Sequence, residues 1–394
     1  MLKESVVQIH RDINKPIAAA IGLPNELYTS YEAFVRDRES IMAPSWASIG
    51  FIEDLPERNF VFPVDFMGIP LLITRDDNDD IRVFHNVCSH RGMHLADKPC
   101  RTNGLVRCPY HSWTYQLDGK LRGTPHVGGF GVHEHEEFDK AASNLRSIRS
   151  TTWLGCIFIN LSGAAVDFKT YIEPLTRQFD ELCSIDERER FTAGSDNCRT
   201  QLTVKSNWKL AVENYLESYH LPTVHPELNR ISPLQEHFSL EYFDQGAGQG
   251  SMNYTRLSLD DQKLPTLNGW PQDLETKALY PTLYPNTLIG LHADHLFIMM
   301  LQPTADNETV EHVRISYVGS EGLDRKFAKH HQQMLHNWSE VFGEDIFAVE
   351  RMQKGRSSPG YAGGKFAPEM DEPTVHFHRW VAQCLLDGSM EANT

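Results

Sequence analysis

No run of this 394-residue chain approaches the roughly eighteen apolar residues that a membrane-spanning helix needs. The opening stretch Met1-Leu2-Lys3-Glu4-Ser5 has no apolar signal core. A cytoplasmic protein with no membrane partner is the expectation. Cysteine is sparse: Cys88, Cys100, Cys108, Cys156, Cys183, Cys198 and Cys384 form an odd, scattered set. Such a set excludes a secreted disulfide framework. Basic residues are few, 37 against 53 acidic ones, giving a net charge of −16. That balance argues against a nucleic-acid partner and is compatible with a cationic substrate or a basic patch on a protein partner. The G-x-G-x-x-G fingerprint is missing. Gly246-Ala247-Gly248-Gln249-Gly250 lacks its spacing and its βαβ setting, and is read as a flexible loop. No flavin or nicotinamide site is visible, and there are no internal repeats or low-complexity tracts. What remains is 40% apolar and 10% aromatic, enough for a large core in two or three domains.

Two cysteine–histidine pairs stand out, Cys88-Ser-His90 and Cys108-Pro-Tyr-His111. Two thiolates and two imidazoles suit a two-iron cluster in which one iron takes both sulfurs and the other both nitrogens, the Rieske arrangement. Each pair follows a strand-like run, Ile81–Val87 and Gly104–Arg107, and so falls at a loop. Two hairpin tips facing each other could clamp a cluster. A structural zinc site is the alternative, although zinc patterns usually open with C-x₂₋₄-C, and the one-residue gap from Cys88 to His90 is foreign to them. Cys100 matches no ligand position and is read as a buried or free thiol.

A second constellation runs from Asn207 to His225. Leu210, Val212, Tyr215, Leu216 and Tyr219 fit the buried stripe of one helix. Glu213, Glu217 and His220 would then share another face. Pro222 should end the helix and carry His225 on the turn beyond it. Two imidazoles from such a bend, with one carboxylate from elsewhere, would make the facial triad of non-haem Fe(II) oxygenases. Ordinary surface or core histidines remain the alternative for this motif taken alone.

The C-x-H…C-x-x-H pattern followed by N-W-K…E-N-x-x-E-x-Y-H-x₄-H resembles the oxygenase (alpha) component of Rieske non-haem iron oxygenases. The likeness runs from about Trp46 to Trp380. It implies a [2Fe-2S] cluster on Cys88, His90, Cys108 and His111, and a mononuclear Fe(2+) on His220, His225 and a late-helix aspartate. Glu344-Asp345-Ile346-Phe347-Ala348-Val349-Glu350 matches the family context, with Asp345 as ligand. Phe342, Ile346, Val349 and Met352 form an apolar stripe that would bury this helix. Many relatives carry a bridging aspartate three residues before the first iron histidine, between that histidine and a cluster histidine of a neighbouring subunit. This chain has Glu217 there, as in the branch that oxidises carnitine, glycine betaine and related quaternary ammonium compounds.

The resemblance implies an α+β protein: residues 1–45 an N-terminal helical segment packing on the catalytic domain, 46–160 an all-β Rieske domain, and 161–394 a helix-grip-like catalytic domain. That last domain would fold a curved antiparallel sheet around a long C-terminal helix entered by Phe377–Val381. Strand-like runs at 287–290, 296–300 and 310–318 fit this sheet. Tyr31–Val35 reads as a short amphipathic helix, and Asp76–Asp80 as a hairpin turn.

The implied activity is monooxygenation with O2 and electrons from a separate NAD(P)H-dependent reductase, in a homotrimer with Glu217 carrying electrons between subunits. A carbon next to the nitrogen of a quaternary ammonium substrate would be hydroxylated, giving C–N cleavage or N-demethylation. An aromatic-ring hydroxylating oxygenase would share every metal ligand, and an electron-transfer or zinc protein would need only the first motif. A cationic substrate calls for aromatic faces, for which Tyr215, Tyr280, Tyr284, Trp208 and Trp270 are candidates. His292, Asp294 and His295 fall on or beside a strand expected to line the cavity.

Overall fold

Strand alternation and short turns dominate between residues 48 and 164, and helices frame a second sheet elsewhere. The computed structural model describes residues 3–194 and 196–391. Met1 and Leu2, which open the stretch read for a signal core, lie outside the described residues. The chain divides into two compact units, Ser48–Ala164 and a second made of the residues up to Ala47 together with those from Ala165 onward.

In the smaller unit the strands are β1 (Ala47–Phe51), β2 (Phe60–Phe66), β3 (Ile69–Arg75), β4 (Ile81–His85), β5 (Cys100–Arg101), β6 (Leu105–Arg107), β7 (Thr114–Gln116), β8 (Leu121–Gly123), β9 (Ser147–Trp153) and β10 (Cys156–Asn160). Seven of them form one sheet in the order β1-β10-β9-β4-β3-β2-β5, and β6-β7-β8 form another. Asp76–Asp80 is the β3–β4 turn, as its composition suggests. The Asp76 carboxylate accepts from the backbone N–H groups of Asn78 and Asp80, at 2.9 and 3.1 Å. Val61, Leu72, Phe84, Trp113 and Tyr115 pack into a core that includes Cys88 and Cys108. Cys100 is an exposed free thiol in β5.

The larger unit holds an eight-stranded antiparallel sheet. Its strands are β11 (Phe191–Ala193), β12 (Arg199–Val204), β13 (His237–Ser239), β14 (Gly246–Ser251), β17 (Ala278–Leu283), β18 (Thr287–Leu291), β19 (His295–Ala305) and β20 (Glu308–Val318). The hairpin β15–β16 (Ser258–Leu259 and Gln262–Lys263) stands apart. The order is β11-β20-β19-β18-β17-β14-β13, with β12 also on β20. The sheet is curved. The long helices Ala328–Arg356 and Glu372–Glu391 pack on elements of this unit, the second also against Lys3–Ile13. Among the described residues no helix is long and apolar enough to cross a membrane.

Three sequence readings need correction. Gly246–Gly250 is not a loop but the buried strand β14. Its glycines let neighbours approach: a Cβ on Gly248 would fall 2.6 Å from the Pro281 Cα, and one on Gly250 would meet the Phe238 ring. The helix starting at Trp208 stops at Leu216, and Glu217 is extended at φ −121° and ψ 151°. Glu217 and His220 therefore do not share a helical face with Glu213, and Tyr219 is exposed rather than buried. Pro222 does not end a helix; it sits in the first turn of the short helix Leu221–Val224, where a missing N–H costs nothing. In the late helix, Phe342 and Val349 are buried, while Met352 faces outward.

Candidate metal centres

The two cysteine loops are built alike. The Gly92 N–H donates to the Cys88 carbonyl at 2.9 Å, and the Cys88 N–H donates to the Met93 carbonyl at 2.8 Å. The same offsets recur from Ser112 to Cys108 at 3.1 Å and from Cys108 to Trp113 at 2.7 Å. Each loop closes through a left-handed residue four places after its cysteine, Gly92 at φ 68° and Ser112 at φ 61°. Glycine takes that conformation freely, and serine at some cost.

These loops bury both thiols and set the His90 and His111 rings 4.7 Å apart. The Trp113 ring stacks on His90 at 4.6 Å. The Tyr115 hydroxyl lies 3.1 Å from Cys88 Sγ and 2.9 Å from the Ser89 hydroxyl. Burial raises the Cys88 thiol above its ordinary range, against the hydrogen bond with Tyr115. His111 Nδ1 is buried without a hydrogen-bond partner. The donor set thus fits a group that accepts two thiolates and two imidazoles. Ligands of one zinc ion would crowd within about 4.6 Å of each other, twice the zinc–sulfur distance. Among the described residues only His220, His225 and Asp345 bring three ligand atoms within 4.8 Å of one another. The spread of the Cys–His set suits two irons better than a single ion.

The triad is assembled from three local structures. Asn207 caps the helix Trp208–Leu216, its side chain accepting from the Lys209 N–H at 3.1 Å. At the other end Gln249 Nε2 donates to the Tyr215 carbonyl at 3.2 Å, satisfying one of the groups a helix terminus leaves bare. His220 follows the break, and His225 joins the short helices Leu221–Val224 and Pro226–Ile231. Asp345 comes from the middle of Ala328–Arg356. Its Oδ1 lies 2.9 Å from His225 Nε2 and 3.7 Å from His220 Nε2. The far nitrogens are also engaged. Glu217 Oε1 is 2.5 Å from His220 Nδ1, its Oε2 accepts from the His220 N–H at 3.1 Å, and Glu344 Oε2 is 2.7 Å from His225 Nδ1. Burial opposes charge on His225, yet the hydrogen bonds to Asp345 and Glu344 raise it above the usual imidazole range. With Nδ1 of each ring tied to a carboxylate, both Nε2 atoms turn toward Asp345, the arrangement a metal-ligating histidine needs.

Above the triad lies a cavity of about 480 Å³, part of it open to solvent, walled by Tyr215, Tyr280, Phe297, Trp338 and Phe342. Ser232, His237 and Gln249 form a polar end. His237 spans the other two, 3.0 Å from the Ser232 hydroxyl and 2.8 Å from Gln249 Oε1. Among the described residues no lysine or arginine lines the cavity.

The other aromatic candidates point elsewhere. Trp208 is fully buried and donates to Asp37 at 2.9 Å. Tyr284 packs on Trp380 at 4.7 Å, and Trp270 donates to the Leu274 carbonyl. Apolar character alone does not tell a cavity wall from core, so sequence reasoning passed over Phe297, Trp338 and Phe342. Glu344 was quoted only as context for Asp345. Its adjacency to that aspartate was the one available signal. Glu213 belongs to a separate buried network with Tyr28 and Arg356.

The ring hydroxylating alpha subunit (catalytic domain) family model matches residues 188–387, and the Rieske [2Fe-2S] domain model matches residues 45–136. The carnitine monooxygenase oxygenase subunit of Acinetobacter pittii is 26% identical over 347 residues, 86% of each chain. The chloroplastic choline monooxygenase of Arabidopsis thaliana is 26% identical over 384 residues, 95% of this chain and 84% of that one. The quaternary ammonium Rieske monooxygenase CntA in complex with L-carnitine superposes with a TM-score of 0.76 at 21% identity, covering 95% of this chain and 98% of that one. The two matches fall in the same order as the cysteine–histidine loops and the triad, and the chain belongs to the ring hydroxylating alpha subunit family, with a Rieske [2Fe-2S] domain preceding its catalytic domain.

Proposed function

We propose that this chain is the oxygenase component of a two-component Rieske monooxygenase that hydroxylates a carbon next to nitrogen in a quaternary ammonium substrate of the carnitine or betaine type. The observation that carries the reading is the triad of His220, His225 and Asp345 beneath an aromatic cavity whose wall, among the described residues, holds no lysine or arginine. A fixed cation is not repelled there, and aromatic faces attract it. The relatives named for carnitine, choline and glycine betaine support the same substrate class.

In this reading Cys88, Cys108, His90 and His111 hold the [2Fe-2S] cluster, and His220, His225 and Asp345 hold Fe(2+). Bound there, the two centres supply single electrons and oxygen activation. The chain itself does the rest. Glu217 and Glu344 hold the Nδ1 protons of the two histidines, so that each Nε2 stays a free donor toward the metal. The aromatic walls keep bulk water from the reacting carbon. Ser232, His237 and Gln249 offer hydrogen bonds to the polar end of a zwitterion. Glu217 links the first iron histidine to a cluster histidine of a neighbouring protomer in a homotrimer. Electrons come from a separate NAD(P)H-dependent reductase, and the enzyme works in the cytoplasm. Residues 1–45, 46–160 and 161–394 serve as the helical packing segment, the Rieske domain and the catalytic domain.

A panel of carnitine, glycine betaine, choline and simple aromatics, supplied with a reductase, tests this. Substrate-dependent oxygen uptake with aldehyde release is expected for a quaternary ammonium compound. Dihydrodiol formation from an aromatic instead would assign the chain to ring hydroxylation.

A further inference from the structure

Trp338 reaches the cavity from the helix Ala328–Arg356, about two turns before Asp345, and only 4% of its surface is exposed. Its ring packs at 4.4 Å on Phe297 and stacks on Phe342 at 5.6 Å and 19°. The indole N–H points away from the cavity and donates to His295 Nε2 at 3.1 Å. An indole N–H can only donate, so that imidazole nitrogen is the acceptor, and its proton sits on Nδ1. There it meets Asp294 Oδ1 at 2.7 Å, while Asp294 Oδ2 receives Arg256 Nε at 2.8 Å. Arg256 is itself tied to Glu275 Oε1 at 2.6 Å and to the Leu264 carbonyl at 2.7 Å. The indole N–H, both His295 ring nitrogens and both Asp294 oxygens each have a partner. Asp294 and His295 are fully buried. Burial opposes charge on Asp294, yet His295 and Arg256 hold its carboxyl well below the usual range.

A buried charged chain of this kind is costly unless it fixes something. What it ends on is the Trp338 indole, a residue of the cavity wall. A hydrogen bond at Nε1 sets the rotation of the indole, and among aromatic side chains indole gives the strongest cation–π attraction. His292 stacks on His295 at 4.0 Å and 9°, with both ring nitrogens buried and unpartnered. It therefore adds no competing hydrogen bond to the His295 ring.

We propose that the Trp338 indole is the surface that receives the quaternary ammonium group, and that Asp294 and His295 are positioning residues that lock it. The inference rests on the substrate class proposed above. It names which of the cavity's aromatic faces selects the cation, and the residues behind the wall that set it.

The test uses the holoenzyme and two probes of equal shape, tetramethylammonium and neutral neopentane-like tert-butyl alcohols. Wild type is expected to prefer the cation, and Trp338→Leu to lose about five- to thirty-fold of that preference, the range from an exposed to a desolvated cation–π contact. Trp338→Phe should retain part of it. His295→Phe, which keeps volume but removes the acceptor, should lower the preference in the same direction. It should raise KM for the cationic substrate while kcat changes little. His295→Gln, which can still accept from the indole, should restore part of the loss. Fluorine spectra of 5-fluorotryptophan protein should show the Trp338 resonance broadened or doubled in His295→Phe, a signature that a general loss of stability does not produce. A cation preference kept in full by folded Trp338→Leu would overturn this inference alone. No preference in wild type would overturn the quaternary ammonium reading and this inference with it.

Discussion

Glu344 Oε2 lies 2.7 Å from Nδ1 of His225, on the side of the ring opposite the Asp345 carboxylate. One carboxylate fixes the proton, and the adjacent residue supplies a metal ligand. Glu344→Ala should weaken mononuclear iron binding by about 10- to 100-fold, the usual effect of deleting a partner of a ligating histidine. Glu344→Gln, whose amide oxygen can still accept, should lose less. Chelator competition reads the iron affinity, and cluster absorbance in the same sample should not change. Equal iron affinity in all three proteins would remove this role.

The two metal centres should separate by mutation. Cys108→Ser should abolish the cluster's visible absorption and leave mononuclear iron bound. His220→Ala or Asp345→Ala should do the reverse, keeping the Rieske spectrum and losing turnover. Iron and acid-labile sulfide analysis of wild type should give two cluster irons, two sulfides and one further iron per chain. Zinc without sulfide would defeat the assignment of the first motif.

Glu217 contacts His220 through both carboxylate oxygens. Glu217→Gln keeps shape but removes charge, so metal contents should stay near wild type while single-turnover oxidation of the reduced cluster slows severely. Glu217→Asp should keep part of the rate. A mixed trimer of Cys108→Ser and His220→Ala subunits should recover activity absent from either parent. Verified mixed trimers with no recovery would argue for transfer within one chain.

Glu213 carries a pH signature of its own. Burial alone would push its carboxyl up, but His378, Arg356 and the Tyr28 hydroxyl together bring it down to about 2 from 4.5. A depressed folded value means that ionised Glu213 contributes its full stability above the unfolded pKa of 4.5 and loses it as pH falls toward 2. Glu213→Gln should therefore lower stability by about 3 kcal/mol in urea titrations at neutral pH. The gap should shrink as pH falls below 4.5. A gap that does not vary with pH would show that the carboxylate's charge is not what matters.

The sequence was most informative where chemistry demands particular atoms. The positions singled out for metal binding are placed in two clusters, the Cys–His loops and the His–His–Asp triad, because few residue types can serve such chemistry at such spacings. Register inside helices was less legible. Apolar periodicity runs through Leu216 to Tyr219 without a signal for the break, where Gln249 satisfies the Tyr215 carbonyl from a distant strand and Glu217 turns to His220. Gly246–Gly250 looked like a loop because glycine carries no side-chain pattern. Its strand is specified by Phe238, Phe243 and Pro281, whose bulk fills the space the glycines leave. Aromatic residues were the hardest to place, since Trp208 and Trp338 have the same local character and only tertiary packing sends one to the core and the other to the cavity.

The helix break after Leu216 divides two carboxylates that are four residues apart. Glu213, before it, is committed to an arginine and a tyrosine of the protein's structural interior. Glu217, after it, answers only to His220 among the contacts described above. The break separates the buried network of Glu213 from the electron route proposed through Glu217. A change of side-chain reach at position 217 therefore leaves untouched the circuit of Glu213, Tyr28 and Arg356 inside the fold.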